Sequence, residues 1–224
     1  HMAALAAAFE WGRLKMQASV LGYFVHEKVE RFEARPDKAV ATPAFFGSFK
    51  VLKNHDLSVR AFYKRMFRMP TFNDLYYTDM GNAFLKPEYA EQFNVGLKYT
   101  RNFEKSPFMR MLDVSVDAYY NKITDKIIAY PKGQQFRWTM LNLGEVEIKG
   151  VDAVLNTQFS LGKLEVTTKF QYTYQKAIDI TDPADTYYRD QIPYIPWHSG
   201  SAILALFYKG WGLNYSFIYT GQRY

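Results

Sequence analysis

Few side chains in this sequence have the types and spacing that catalysis or metal binding requires. The chain contains no cysteine, which excludes thiolate nucleophiles, disulfides and cysteine-based metal sites. His26, His55 and His198 lie far apart and form no metal-ligand spacing such as H-x-x-x-H. Four aspartates between residues 179 and 190 suggest a calcium loop, but they lack the EF-hand spacing and its central glycine. We therefore predict a protein that is not an enzyme, with no catalytic residue, no metal site and no cofactor.

Aromatic residues beside arginine are better candidates for binding a ligand. Adjacent rings and guanidinium groups can hold a flat or anionic molecule by stacking and hydrogen bonding. Such groups tend to lie on loops carried by a rigid scaffold. Three clusters fit this description: Tyr76 and Tyr77; Phe136, Arg137 and Trp138; and Tyr187, Tyr188 and Arg189. The alternative for each cluster is a membrane-interface ring or simple loop packing.

The composition indicates what kind of scaffold carries these loops. Aromatic residues make up 18% of the 224 residues, and a wall facing lipid uses Tyr and Trp at its interfaces. No apolar run has the length of a transmembrane helix, and the longest, Ala202–Tyr208, is the size of a strand. A mean hydropathy of −0.29 fits a soluble protein, and equally a transmembrane barrel whose strands alternate apolar and polar residues.

The net charge of +6 leaves two interpretations open. The basic residues can belong to solvated loops and a charged barrel lumen, or they can attract an anionic ligand or the phosphates of lipopolysaccharide. They are scattered along the chain rather than gathered in a run, so we predict no nucleic-acid partner.

Alternation of apolar and polar residues recurs along the chain and predicts β-strands. It is clearest in Leu112–Tyr120 and Leu164–Tyr174, and it is also present in Phe93–Tyr99 and Leu213–Tyr219. The polar face of these segments carries charge, which suits a wide, wet lumen better than the interior of a packed sandwich.

The connections between these strands alternate in length. Short turns are predicted at Trp11–Arg13, Lys53–Asp56, Ser160–Lys163 and Lys209–Gly210, and a somewhat longer one at Arg101–Met109. Long polar segments are predicted at Glu27–Thr42, Phe67–Lys86, Lys122–Arg137 and Ala177–Trp197. Short periplasmic turns alternating with longer extracellular loops are typical of an antiparallel up-and-down transmembrane β-barrel. The fold class is therefore all-β, with about ten strands in five hairpins.

The ends of the sequence favour a part of a larger barrel. His1 and Met2 look like a cloning remnant, which leaves residues 3–224 as one partial barrel domain. The first strand is expected to begin abruptly at Ala3, and no closing strand follows the segment that ends at Tyr224. An open sheet would leave unpaired edges, which closed barrels avoid.

One stretch resembles a signature of TonB-dependent outer-membrane receptors. The segment from Arg68 to Glu88 is similar to the family pattern R-x-P-[ST]-x-x-[DE]-L-[FY] followed by G-N-x-x-L-x-P-E. The matching residues are Arg68, Pro70, Leu75, Gly81, Asn82, Leu85, Pro87 and Glu88. Further similar stretches are Asn142–Glu145, Lys149–Asp152 and Ile192–Pro196. We interpret the signature as a device for loop folding and barrel assembly, in which Arg68 and Glu88 either pair or remain solvated.

The resemblance implies a function and a location. It implies the outer membrane of a Gram-negative bacterium, a barrel of about 22 strands, and an amino-terminal plug through which the TonB complex supplies energy. The expected partners are outer-membrane lipid, lipopolysaccharide, the TonB complex and a scarce nutrient such as a siderophore, haem, cobalamin or a glycan. The alternatives are a plug-free, porin-like channel and a soluble, aromatic-rich carbohydrate-binding β domain.

Overall fold

The protein forms one ten-stranded antiparallel sheet in which each strand pairs with its neighbour in sequence. The computed structural model describes residues 1–26, 37–52, 56–77, 80–132, 137–193 and 195–223. Within these residues the elements are β1 (Met2–Trp11), β2 (Leu14–Val25), β3 (Lys38–Lys50), β4 (Asp56–Arg68), α1 (Phe72–Tyr76), β5 (Glu88–Asn102), β6 (Met109–Lys132), β7 (Arg137–Leu161), β8 (Leu164–Asp179), β9 (His198–Tyr208) and β10 (Trp211–Thr220). The sheet order is β1 to β10, with β1 and β10 at its two ends. The predicted all-β, up-and-down architecture of about ten strands is confirmed.

Three of the short turns are two-residue hairpins that need left-handed backbone angles. Gly12 and Gly162, each the first turn residue, have φ values of +57° and +64°, as a type II′ turn requires. In the β9–β10 turn Lys209 and Gly210 both have positive φ, +46° and +88°, which is the pattern of a type I′ turn. These turns lie where the sequence predicts them.

The predicted long connections are shorter than expected, because strands continue into them. β3 already begins at Lys38, and β4 ends only at Arg68. The predicted loop Lys122–Arg137 is mostly the outer part of the β6–β7 hairpin, which stays paired up to Lys132 and Arg137. A hairpin satisfies its own backbone hydrogen bonds, so it can extend beyond the barrel wall. The first strand begins at Met2, which pairs with Tyr23, one residue before the expected start at Ala3.

The register of the sheet separates a polar face from an apolar face. One row of directly opposite residues crosses all ten strands on the polar face: Glu10, Lys15, Ser48, Arg60, Gly96, Asp117, Asp152, Thr173, Ser199 and Thr220. The neighbouring row on the apolar face is Trp11, Leu14, Phe49, Val59, Leu97, Val116, Ala153, Tyr172, Gly200 and Tyr219. Because side chains alternate along a strand, this opposition extends over the length of the wall.

Burial is concentrated at the end of the sheet that carries the long connections. There Ala90, Ile123, Val146, Ile148, Ala177 and Ile192 form one buried cluster. On the apolar face large side chains stay open, such as Val95 at 58% and Leu97 at 53% exposure. A single sheet whose apolar face is not covered by a second layer is consistent with a wall that meets lipid. Within the described ranges, no helix has both the length and the apolar character needed to span a membrane.

Candidate functional site

The connection between β4 and β5, residues 69–87, is folded around the residues of the signature, and we call it the signature loop. It starts with α1, whose N-cap is Thr71: the Asp74 backbone N–H donates to Thr71 Oγ1 at 3.2 Å, and the Thr71 N–H donates to Asp74 Oδ2 at 2.8 Å. This reciprocal arrangement is a capping box. The helix was not predicted, although the spacing of Thr71 and Asp74 was the available signal.

Arg68 joins the two ends of the signature loop. Its guanidinium donates to Asp74 Oδ2 at 3.1 Å and to Glu88 Oε2 at 3.4 Å. The sequence left open whether Arg68 pairs with Glu88. The structure shows this pair, and Asp74 accepts a second bond from the same guanidinium. Pro70 and Pro87 lie just outside β4 and β5, where a missing N–H breaks no ladder.

A tight backbone crossing closes the signature loop at Gly81 and Asn82. The Gly81 N–H donates to Tyr77 O at 2.7 Å, and the Asn82 N–H donates to Asp74 O at 2.9 Å. A Cβ on Gly81 would lie 2.6 Å from the Tyr77 nitrogen and 2.7 Å from the Leu75 oxygen, so only glycine fits. The Asn82 side chain then donates to the Met140 carbonyl at 3.0 Å, which ties the loop to β7.

Asn142 on β7 holds the end of the signature loop against the β6–β7 hairpin. Its Oδ1 accepts the Lys86 N–H at 2.7 Å, and its Nδ2 donates to the carbonyls of Lys86 at 3.0 Å and Asp125 at 2.7 Å. Leu75 and Leu85 pack with Ile127 in a small buried cluster beside these bonds. Asn142 belongs to one of the stretches that resemble the family, but its role as a clamp was not predicted.

The connection between β8 and β9, residues 180–197, folds back along the end of β8. The Asp179 N–H donates to Asp190 O at 3.0 Å, and the Ile192 N–H donates to Ala177 O at 3.0 Å. Carboxylates of its aspartates accept backbone N–H groups two residues further on, as Asp182 does from Ala184 and Asp185 from Tyr187. Such bonds stabilise turns, and among the described residues no group of three or more potential metal ligands is clustered.

The predicted aromatic clusters lie at this same end of the sheet but have different surroundings. Tyr76 packs against the Leu75 cluster, whereas Tyr77 and Tyr187 are 58% and 70% exposed. Tyr188 is half-buried, and Arg189 has a φ of +71°. Arg137 begins β7, while Phe136 and the side chain of Arg137 lie outside the described residues.

Trp138 lines a cavity that two of the long connections share. The cavity has a volume of about 380 Å³ and lies between the outer part of the β6–β7 hairpin and the 180–197 connection. Its walls include Lys126, Tyr130, Ile192 and Ile195 beside Trp138. An apolar cavity with one cation at its edge can take the apolar part of a ligand that also carries an anionic or polar group.

The polar face of the sheet carries a network of charged and polar contacts. Arg60 forms a two-pronged ion pair with Asp117 across Gly96, where a Cβ would lie 2.8 Å from the Asp117 Cγ. Further along β6, Asp113 accepts bonds from Thr100 at 2.7 Å and from Asn156 at 3.0 Å. Groups of this kind need water or polar partners, so this face suits a hydrated lumen.

A cavity of about 880 Å³ lies over the polar face of the first strands. Glu10, Lys15, Arg60 and Asp117 contribute its charged lining. Both members of the Glu10–Lys15 pair stay largely exposed, with 2.8 Å between Nζ and the carboxylate. The sequence predicted a charged face but not which residues meet, because this depends on the register between strands.

Short turns at one end, folded long loops at the other, and two opposed faces define the wall of a receptor-type β-barrel. The chain belongs to the TonB-dependent receptors: the family model described as "TonB dependent receptor-like, beta-barrel" matches residues 7–224. Members of this family are receptors and transporters of the Gram-negative outer membrane, and they are not enzymes. The family membership predicted from the signature residues is confirmed.

Two similar proteins of known function are vitamin B12 transporters. The chain is 30% identical over 165 residues to vitamin B12 transporter BtuB of Photobacterium profundum, covering 70% of the chain and 24% of that protein. It is 32% identical over 99 residues to the BtuB of Vibrio vulnificus, covering 44% of the chain and 14% of that protein. The chain thus spans about a quarter or less of the length of these relatives.

Solved structures of other receptors share the fold. The copper transporter OprC aligns with a TM-score of 0.67 at 17% identity, over 97% of this chain and 34% of its own. The siderophore receptor PirA from Pseudomonas aeruginosa aligns at 0.60 and 14% identity, over 100% of this chain and 38% of its own. The FrpB iron transporter from Neisseria meningitidis aligns at 0.61 and 14% identity, over 97% of this chain and 32% of its own.

Proposed function

We propose that the chain is part of the barrel of an outer-membrane receptor that imports a scarce nutrient with energy from TonB. The observation that carries the proposal is the match of residues 7–224 to the receptor barrel family. The polar face would line the passage, and the apolar face would contact lipid. The TonB complex would act through a plug domain supplied by another part of the protein.

Cobalamin is the first nutrient to test. Two similar proteins of known function are vitamin B12 transporters, whereas the structural matches, below 20% identity, bear on the fold alone. Siderophores, haem and glycans are the alternatives within the same mechanism. Transport of any of them needs no covalent chemistry on the barrel, because binding and passage are sufficient.

The long connections would supply the ligand contacts. Tyr77 and Tyr187 leave most of their side chains open to solvent at this end of the sheet, and Trp138 lines the shared cavity. Exposed rings on an anchored loop offer stacking surfaces at a low conformational cost. We assign Tyr77, Trp138 and Tyr187 the leading roles, with Tyr76, Phe136, Arg137, Tyr188 and Arg189 as further candidates.

The test uses the intact receptor with its plug. The purified protein in detergent is titrated with cyanocobalamin, haem and a ferric siderophore, and uptake of the bound compound is measured in cells with and without TonB. We expect one compound to bind at a 1:1 ratio and to enter only the cells that contain TonB. Uptake that persists without TonB would instead establish a passive channel.

Loop variants locate the contacts. Trp138→Ala and Tyr187→Ala should weaken binding of the same compound, because each removes a ring at the long-loop end. The matched control is Trp211→Ala, which removes an exposed ring beside the β9–β10 turn at the opposite end. Equal effects of Trp138→Ala and Trp211→Ala would contradict ligand binding by the loops.

A further inference from the structure

One row of the apolar face changes from aromatic to basic at β7. The row of directly opposite residues from β3 to β8 consists of Phe45, Tyr63, Phe93, Tyr120, Lys149 and Lys176. Its four rings follow one another at centroid distances of 6.4, 4.9 and 6.3 Å. The next row on this face, toward the long connections, is charged and contains Arg65, Glu91, Lys122 and Glu147. The aromatic row therefore has the position of an interfacial girdle, which two lysines continue.

The two lysines face each other across neighbouring strands. Lys149 and Lys176 are direct partners in the β7–β8 register, and like charges in this position destabilise a sheet. Lys149 Nζ lies 2.8 Å from a Glu147 oxygen and 5.4 Å from the centre of the Tyr120 ring. Lys176 Nζ lies 5.6 Å from the Trp197 ring centre, and no described carboxylate forms an ion pair with it. Among the described residues, one positive charge of the pair therefore lacks a counterion.

Two further cations surround the same position. Lys122 pairs with Glu145 at 2.8 Å, and Arg189 interacts electrostatically with Glu147. We call Lys122, Lys149, Lys176 and Arg189 the basic patch. Its four cations are accompanied by two carboxylates, Glu145 and Glu147. The adjoining Arg65 and Glu91 are direct partners in the charged row and balance each other, so the excess among the described residues is two positive charges (5 − 3).

We propose that the basic patch binds the phosphorylated headgroup of an outer-leaflet lipid, the diphosphorylated glucosamine disaccharide of lipopolysaccharide. The proposal rests on the proposed function, because that function places the apolar face in the outer membrane with the long loops outside. Two lipid phosphates match the excess charge, and ammonium and guanidinium groups bind phosphate oxygens by charge-assisted hydrogen bonds.

The surroundings of the patch favour a lipid over a free anion. One row closer to the short turns, the apolar face presents Ala118, Val151 and Tyr174 in direct register. Acyl chains would cover these residues while the phosphates meet the lysines above them. The rings of Tyr120 and Trp197, which already contact Lys149 and Lys176, would border the sugar of the headgroup.

The test measures protection of the intact receptor by added lipid. The purified, delipidated protein in detergent is heated with bisphosphorylated lipid A, monophosphorylated lipid A or inorganic phosphate, and the apparent Tm is recorded against concentration. We expect the bisphosphorylated lipid to raise Tm at the lowest concentration, the monophosphorylated lipid to act more weakly, and inorganic phosphate to have little effect. In the Lys149→Ala/Lys176→Ala double variant, the half-saturating lipid concentration should rise about tenfold or more.

The control is Lys169→Ala, which removes one lysine from the polar face of β8 instead. It should leave the protection by lipid A unchanged. Equal protection of the double variant and the native protein would overturn the proposal, and so would equal protection by inorganic phosphate, which would show a site for a free anion. Nutrient binding is measured on the same samples: its absence together with intact lipid protection contradicts the proposed uptake function and leaves the lipid site standing.

Discussion

At Gly81 the backbone of the signature loop approaches itself too closely for any side chain. The Tyr77 nitrogen and the Leu75 oxygen occupy the space that a Cβ would need. The same position is where Tyr77 O accepts the Gly81 N–H at 2.7 Å. The glycine of the signature is thus explained by the folding of the loop rather than by contact with a ligand.

Gly81→Ala should therefore unfold the signature loop locally. Relieving the overlap has to break the Gly81–Tyr77 bond, and overpacking of this kind costs about 1–3 kcal/mol. Hydrogen exchange of the backbone between residues 71 and 87 is expected to accelerate, while exchange in β6 stays slow. Gly47→Ala on β3 is the matched control, because no atom lies within 4 Å of its added Cβ. Unchanged protection in Gly81→Ala would refute this account of the glycine.

At the scale of elements, the β6–β7 hairpin is the support on which the signature loop is built. Asn142 accepts one backbone N–H and donates to two carbonyls that belong to residues distant in sequence. Glu88 contributes a further bond by accepting the Ile127 N–H at 3.1 Å. The end of the signature loop and the adjoining Glu88 are therefore attached to the outer part of the hairpin through Asn142 and Ile127.

Asn142→Ala should release the end of the signature loop from the β6–β7 hairpin. The change leaves the Lys86 N–H and the Asp125 carbonyl without their partner, at a cost of about 1–3 kcal/mol. Limited proteolysis within residues 80–87 is the measurement, and cleavage is expected to become faster. Asn214→Ala on the exposed face of β10 removes the same group at a site without such bonds and should change nothing. Equal cleavage rates in the two variants would argue against the clamp.

The β9–β10 turn contains a residue that is poorly suited to its backbone. Lys209 has a φ of +46°, a conformation that costs a residue with a Cβ about 1–2 kcal/mol. Asn tolerates it better and is preferred before Gly in a type I′ turn. Lys209→Asn is therefore expected to stabilise the folded protein by up to about 1 kcal/mol, measured by urea unfolding in detergent.

The neighbouring hairpin supplies the control for this change. Lys163 follows Gly162 in the β7–β8 turn, and its φ is not positive. Lys163→Asn should leave the urea midpoint unchanged. A gain of the same size at both positions would show that the effect comes from charge rather than from the turn.

At the scale of the whole molecule, the alternation along strands made the fold predictable and the loops less so. Leu112–Tyr120 and Leu164–Tyr174 show two opposed faces in sequence, since each strand meets different surroundings on its two sides. The continuation of β6 and β7 beyond the wall has no such contrast, and it was predicted as a loop. The clamp at Asn142 joins residues 56 positions apart, a distance that no local pattern reports.

The same reasoning applies to the two faces of the wall. The Arg60–Asp117 pair and the Lys149–Lys176 row exist only once the register between strands is fixed. Composition shows an excess of basic residues, and the register decides where that excess lies. The location of a candidate lipid site therefore follows from the sheet and could not follow from the sequence alone.

The opposition of the two faces is the central claim, and site-directed spin labelling of β6 in the intact receptor tests it most directly. Because this chain has no cysteine, single cysteines at each position from Leu112 to Tyr120 can be labelled one at a time in reconstituted membranes. We predict a period of two in the collision rates: labels at Leu112, Val114, Val116 and Ala118 meet oxygen in the lipid, and labels at Asp113, Ser115, Asp117 and Tyr119 meet a water-soluble nickel complex more readily. Collision rates without this alternation, or with the opposite phase, would contradict a wall with lipid on one side and a hydrated lumen on the other.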